Sequence, residues 1–313
     1  MVPFQGKGGK KFVAVFKTWL LEIRPQFLLL VPVCVFSGVA VSLYEGYPFN
    51  AVYFVLAFFG ALFAHISVNV LNDYFDYKSG IDLKTHRTPF SGGSGILPAG
   101  MLRPRNVLLL GLGSLAVTII IGIYFIYIMP VILPIGLLGV LLVLIYTPYL
   151  TRLPGITELV GPGLGFGLMV LGTYVVQTEA YSAAAIAVAF VSGLLIADLL
   201  LLNEFPDVEA DRFAGRKHLP IILNKGRAAN IYCLILVLVY ALIAGAVVAE
   251  VLPILALLGL ATLPLGIKTV KGVLRSHSDR DNLIPVMGMN VQVVLLTPLL
   301  MSTGILIWAF TFS

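Results

Sequence analysis

Residues 51–82 read AVYFVLAFFGALFAHISVNVLNDYFDYKSGID. Up to Leu71 the stretch is apolar over about the 20 residues that a helix needs to cross hydrocarbon. It then passes without a break into Asn72-Asp73-Tyr74-Phe75-Asp76, with Asp82 close behind. A second apolar run, 182–202, ends the same way, in Asn203-Glu204-Phe205-Pro206-Asp207 followed by Asp211. The two clusters align without a gap, and each leads into a loop containing glycine and basic residues, the pattern of two related helical halves facing one cavity. Of the 15 acidic residues in the chain, Asp73, Asp76, Asp82, Asp198, Glu204, Asp207, Glu209 and Asp211 fall in or beside these windows. Carboxylates so crowded repel, and a positive charge between them would relieve the repulsion.

The composition says where this happens. The chain is 59% hydrophobic and only 11% charged, against about 25% charged in soluble domains. It reads as a single all-α domain, 1–313, with residues 1–25 as an interfacial N-terminal segment and nine apolar spans around a central cavity, at 27–44, 50–71, 106–128, 130–147, 157–177, 182–202, 229–249, 252–267 and 284–311. The eighth is the shortest and starts at Pro253, so spans seven and eight could be merged or bent. On nine spans all 20 Lys and Arg fall on one side, whereas the opposite loops carry Glu45, Glu179 and Glu250 and no base. The positive-inside rule then predicts an integral protein of the cytoplasmic membrane, N-terminus inside, C-terminus outside, both acidic clusters facing the cytoplasm. The net charge of +5 reads as this topology signal and as contact with lipid headgroups, not as a nucleic-acid footprint. From Lys11 to Arg24 the residues Phe12, Phe16, Trp19 and Ile23 recur at helical spacing, as in a helix lying in the membrane interface. Cys34 and Cys233 both lie within spans and suggest no disulfide framework, and His65 reads as a packed helix residue.

Asn72 and Asp76 are four residues apart, as are Asp207 and Asp211, so each pair shares a helix face. Pro206 interrupts the second cluster and loosens the register of Asn203. Carboxylate and amide oxygens favour Mg²⁺ or Ca²⁺ over zinc. Arg87, Arg212, Arg216 and Lys217 lie within one loop of the acids, and Ser91-Gly92-Gly93-Ser94-Gly95 can wrap backbone N–H groups around an anion. Acids, bases and a glycine loop at one edge of an apolar interior point to a lipid-tailed diphosphate. A transporter would be expected to keep such carboxylates nearer the bilayer midplane.

These motifs resemble the UbiA superfamily of intramembrane aromatic prenyltransferases. The first cluster is similar to that family's Asn-Asp-x-x-Asp motif, Asp207-x-x-x-Asp211 to its second Asp-rich motif, and Arg24-Pro25 extends the similarity to the first span. The segments Arg87 to Ser94, Tyr146-Thr147-Pro148 through Gly155-Ile156-Thr157-Glu158, and Gly167 to Tyr174 look most like the menaquinone branch, which prenylates 1,4-dihydroxy-2-naphthoate. The alternative acceptors are 4-hydroxybenzoate, a glycerol-phosphate lipid ether precursor, haem or a chlorin. The resemblance implies two Mg²⁺ ions held by Asn72, Asp73, Asp76, Asp82, Asn203, Asp207 and Asp211, bridging a prenyl diphosphate. It gives Asp73, Asp76, Asp207 and Asp211 the catalytic metal positions, with Arg87 and Lys217 neutralising the leaving group. Asn72, Asn203, Arg24, Ser91, Tyr146 and Asp198 are expected to contact the substrates. Tyr146 may equally be a helix-end packing residue, and Asp198 is expected to face the cavity because an unpaired charge in a span is costly.

The orientation is testable in a background free of Cys34 and Cys233. Cysteines placed at Glu45, Glu179 and Glu250 are expected to react with an impermeant thiol reagent added outside, and those at Lys84 and Lys217 to stay unlabelled until the membrane is opened.

Overall fold

The computed structural model describes the backbone of residues 7–153 and 156–312, and side chains from residue 15 onward. The side chains of Lys11 and Phe12 in the expected interfacial helix, and Gly155, therefore lie outside the described residues. Among those described the chain is all helix, with no strand. An N-terminal helix, α1 (Lys7–Glu22), leads to α2 (Pro25–Tyr44), α3 (Ala51–Ser79), α4 (Pro104–Ile128), α5 (Pro130–Ile145), α6 (Leu159–Thr178) and α7 (Ala183–Asn203). After these come the short α8 (Val208–Phe213), then α9 (Lys225–Val248), α10 (Ile254–Ser276) and α11 (Arg280–Thr311). Among the described residues eight of these are long and apolar enough to cross a membrane, and α5 is a shorter apolar helix. The chain is an integral membrane protein. Spans seven and eight are separate helices, broken around Glu250 (φ 58°) and Pro253.

Local chemistry sets the boundaries. The side chain of Asn50 accepts a hydrogen bond from Tyr53 N to open α3, Ser182 from Ala185 N to open α7, and Asn224 from Arg227 N to open α9, each satisfying one of the free donors at a helix start. Gly80, at φ 79°, ends α3 in the left-handed region. The following turn, Ile81–Leu83, then folds Asp82 back toward the helix it has just left. At the start of α6, residues Leu159–Leu164 wind as a π-helix around Pro162, a wider turn that accommodates the missing proline N–H. On α1, Val15, Phe16, Leu20 and Leu21 are exposed, the apolar side such a helix would turn toward lipid.

The most buried span is α7, which packs on α2, α6, α9 and α11, while α3 packs chiefly on α4. A cavity remains between α3, α4, α5, α6 and the C-terminal half of α7. Bare backbone allows the closest helix contacts: a Cβ on Gly38 would lie 2.5 Å from Val170 O, and one on Gly193 2.5 Å from Gly163 O. Gly193→Val is expected to force α6 and α7 apart at an overpacking cost of about 1–3 kcal/mol, read as a lower melting temperature of the detergent-solubilised protein.

Candidate active site

The α3 face that meets the cavity carries Ala57, Gly60, Ala61, Ala64, His65, Val68, Asn69, Asn72 and Asp76, a three- and four-residue spacing that keeps them on one side of the helix. Small side chains open the apolar depth of the cavity, and the amides and the carboxylate stand at its polar end. The cavity holds about 680 Å³ and reaches from Arg24, Asp76, Asp207 and Arg216 past Val140 and Met169 to Phe125, Ile132 and Ile135. Leu137, Leu141 and Ile123 line it and are exposed, at 62%, 49% and 61%.

At the polar end the two halves are joined by a guanidinium. Beyond α7, the turn through Pro206 and the short α8 bring Asp211 inward, and Gly215, at φ 76°, reverses the chain so that Arg216 follows it. Arg216 Nη1 donates to Asp211 Oδ1 at 2.9 Å, and Nη2 forms an ion pair with Asp76 Oδ1. Burial alone would lower the Arg216 pKa, but the carboxylates of Asp76 and Asp211 reverse that and raise it. Behind Asp211, His218 Nδ1 lies 3.1 Å from Asp211 Oδ2 and 3.3 Å from Glu204 Oε1. Burial would raise Asp211, yet the bond to His218 and the Arg216 charge hold it below the usual carboxylate range. Glu204 is pushed well above that range by burial and by the neighbouring Glu158 carboxylate. Glu158 in turn accepts a hydrogen bond from Leu219 N at 2.9 Å.

The other side of the mouth is held by Arg24, which pairs with Asp73 and reaches Asn72 Oδ1 at 3.5 Å, while Asn72 Nδ2 donates to Thr147 Oγ1 at 3.3 Å. Ser91 lines the cavity within the glycine-rich loop. Asp82 is raised to about 7 by burial and then by the Asp76 charge. Asp207 is also raised to about 7, by burial and by Asp211, against the hydroxyl of Ser91 and the charge of Arg216. Asn203 Oδ1 and Asp207 Oδ1 are buried without a hydrogen-bond partner. Tyr146 lies with its ring so close over Gly161 that a Cβ there would be 2.5 Å from it. Burial and the Glu204 carboxylate push its hydroxyl pKa up.

A profile of the UbiA prenyltransferase family matches residues 29–291. The chain belongs to that family. It is 27% identical over 296 residues to the 1,4-dihydroxy-2-naphthoate octaprenyltransferase of Bacillus subtilis (strain 168), covering 93% of each chain. It is 28% identical over 301 residues to the enzyme of the same name from Haemophilus influenzae, covering 93% of this chain and 96% of that one. In fold it is similar to a UbiA homologue from Archaeoglobus fulgidus solved with GPP and Mg²⁺, with a TM-score of 0.62 and 16% identity over 91% of this chain and 99% of that one.

In this UbiA prenyltransferase the cavity brings together Arg24, Asn72, Asp76, Asp82, Ser91, Tyr146, Asn203, Asp207 and Asp211. Four residues expected there do not line it. Lys217 is exposed and only its backbone N–H is engaged, on Thr151 O, so the base at this point in the chain is Arg216. Arg87 is also exposed, its guanidinium donating to the carbonyl of Ser94 at the base of the glycine loop. Asp73 spends its carboxylate on Arg24 and on the Ser94 N–H. Asp198 departs most from expectation: it is buried, without a protein partner, on the side of α7 near Tyr232 of α9, because Ile196, Leu199, Leu200 and Asn203 take the cavity face. Tyr146 sits among the polar groups rather than in the apolar part. His218 and Glu158 complete the site without a motif of their own; the one signal for His218 is its short spacing from Asp211 and Arg216 around Gly215.

Arg216→Ala is expected to lower turnover about a hundredfold or more, since it removes the one positive group shared by the two acid clusters. Lys217→Ala is expected to stay within about threefold of wild type, as for an exposed side chain. Steady-state rates of the two variants decide between adjacent bases.

Proposed function

We propose that this enzyme transfers a polyprenyl group from a prenyl diphosphate to 1,4-dihydroxy-2-naphthoate, on the cytoplasmic side of the cytoplasmic membrane. The observation that carries this reading is the junction in one cavity of a hard-oxygen, base-containing end with a long apolar interior. The naphthoate-specific relatives support the choice of acceptor.

The donor set suits Mg²⁺. Among the described residues no three His, Cys, Asp or Glu side chains already surround one point. The oxygens are nonetheless of the hard type, and the orphaned Asn203 Oδ1 and Asp207 Oδ1 are buried where a cation would satisfy them. Asn72, Asp76, Asp82, Asn203, Asp207 and Asp211 would hold it, in two ions. Bound there, Mg²⁺ would neutralise the diphosphate and stabilise its departure. Arg24 and Arg216 orient the phosphates from opposite sides. The C–O bond of the prenyl diphosphate breaks, inorganic diphosphate leaves, and the allylic cation is held between apolar walls that keep out water, which would otherwise trap it as an alcohol. The ring carbon that bears the carboxylate attacks, a C–C bond forms, and carbon dioxide departs. No side-chain nucleophile is needed.

Purified protein given geranylgeranyl diphosphate, 1,4-dihydroxy-2-naphthoate and Mg²⁺ is expected to release inorganic diphosphate and yield, by mass spectrometry, a prenylated naphthalene lacking the carboxyl group. Product on 4-hydroxybenzoate or a glycerol phosphate ether instead would move the acceptor assignment, and full turnover in excess EDTA would remove the metal.

The pH dependence has a definite sign. Metal ligation requires ionised carboxylates, and Asp82 and Asp207 carry protons up to about 7 in the metal-free site. The Mg²⁺ concentration for half-maximal activity is therefore expected to fall by roughly tenfold or more as pH rises from about 6 to 8, then level off. A constant value across that window would show that neither group is a ligand.

A further inference from the structure

The last residue of α1 makes a contact that the reaction above does not use. Glu22 is fully buried at 0% exposure, an expensive place for a carboxyl group unless it is hydrogen-bonded. Its Oε2 accepts from Ser94 Oγ at 2.9 Å, and Ser94 Oγ in turn accepts from Ile96 N at 3.2 Å. The Ser94 N–H donates to Asp73 Oδ2 at 2.9 Å, and Asp73 Oδ1 pairs with Arg24 at the cavity wall. One unbroken chain of polar contacts thus runs from the interfacial helix, through the glycine-rich loop, to the mouth of the cavity.

The loop needs such an anchor. Gly92, Gly93 and Gly95 all have positive φ, and a run so rich in glycine has little stiffness of its own. Yet it lies directly on the polar groups: a Cβ on Gly93 would be 3.2 Å from Asp82 Oδ1, 3.3 Å from Arg24 Nη2 and 3.4 Å from Asp73 Oδ1. The turn that delivers Glu22 is pinned too. Asn69 Nδ2 donates to Ile23 O at 3.3 Å, and Arg24 is held at φ 54°, a left-handed conformation uncommon outside glycine.

We propose that Glu22 is a positioning residue: through Ser94 it latches loop 91–95 over the diphosphate end of the cavity, tying α1 to substrate binding. This rests on the prenyl diphosphate reading above. The test is steady-state kinetics of Glu22→Ala, Glu22→Gln, Ser94→Ala and the Glu22→Ala/Ser94→Ala pair, with hydrogen exchange of the loop amides measured without substrate. Glu22→Ala is expected to raise KM for the prenyl diphosphate about tenfold, the scale of one buried charge-assisted hydrogen bond, with kcat and the acceptor KM within about twofold. Glu22→Gln, which keeps an acceptor for Ser94 Oγ, is expected near wild type, and the double variant no worse than the worse single one. The Ser94 and Ile96 amides should exchange faster in Glu22→Ala while those of α4 do not change. Unchanged KM, additive losses, equal damage to both substrates, or Glu22→Gln as impaired as Glu22→Ala would each overturn the latch. Wild-type protein that transfers no prenyl group would sink the functional reading alone; the latch is then judged on exchange, where unchanged protection of Ser94 and Ile96 in Glu22→Ala rejects it.

Discussion

Asp76 and Asp211 come from opposite halves of the chain, and the guanidinium of Arg216 pairs with both at one place. Taken from water without a partner, each carboxylate would be strongly disfavoured. With a planar cation between them, each finds a hydrogen-bonded counter-charge, and arginine's fork serves both at once in a way a lysine could not. His218 stands behind Asp211, its Nδ1 beside the second carboxylate oxygen, and Glu204 stands behind His218. The joining of the two acid clusters at the polar end therefore centres on one side chain, while Arg24 holds the other side of the mouth.

Around this ionic centre the rest of the bundle is built to have space on one side and none on the other. Where α2 meets α6 and α6 meets α7, Gly38, Gly163 and Gly193 bring backbones into contact. Along α3 the small residues face outward from that packing and leave the cavity open. The same device, a missing side chain, closes one helix pair and hollows another. What decides between them is whether a neighbouring helix lies opposite.

Much of this was legible in the sequence because its signals are periodic or compositional. Lengths of apolar runs located the membrane helices, and the four-residue spacing of Asn72 and Asp76 put both on the cavity face. The crowding of acids also implied a positive charge between the clusters. Part of that charge turned out to be the chain's own Arg216 rather than a bound ion alone. Choosing Arg216 over Lys217 needs the left-handed turn at Gly215, which no periodicity reveals. The placement of Asp198 toward α9 instead of the cavity is a matter of rotation about α7, whose almost uniformly apolar surface gives a reader no face to count from. Ser94, 72 residues from Glu22 in sequence, links Glu22 and Asp73 by donating to both, contacts set by tertiary structure alone.

Leu137, Leu141 and Ile123 line the cavity and are at the same time exposed apolar side chains. Along that border the cavity is bounded by exposed apolar side chains rather than by packed backbone. Rotating a leucine about its own bonds is a fast, local motion, far easier than separating two packed helices. A hydrocarbon chain too long to be coiled inside therefore has no aqueous route to negotiate at that border, because its free end and the bilayer belong to the same apolar phase.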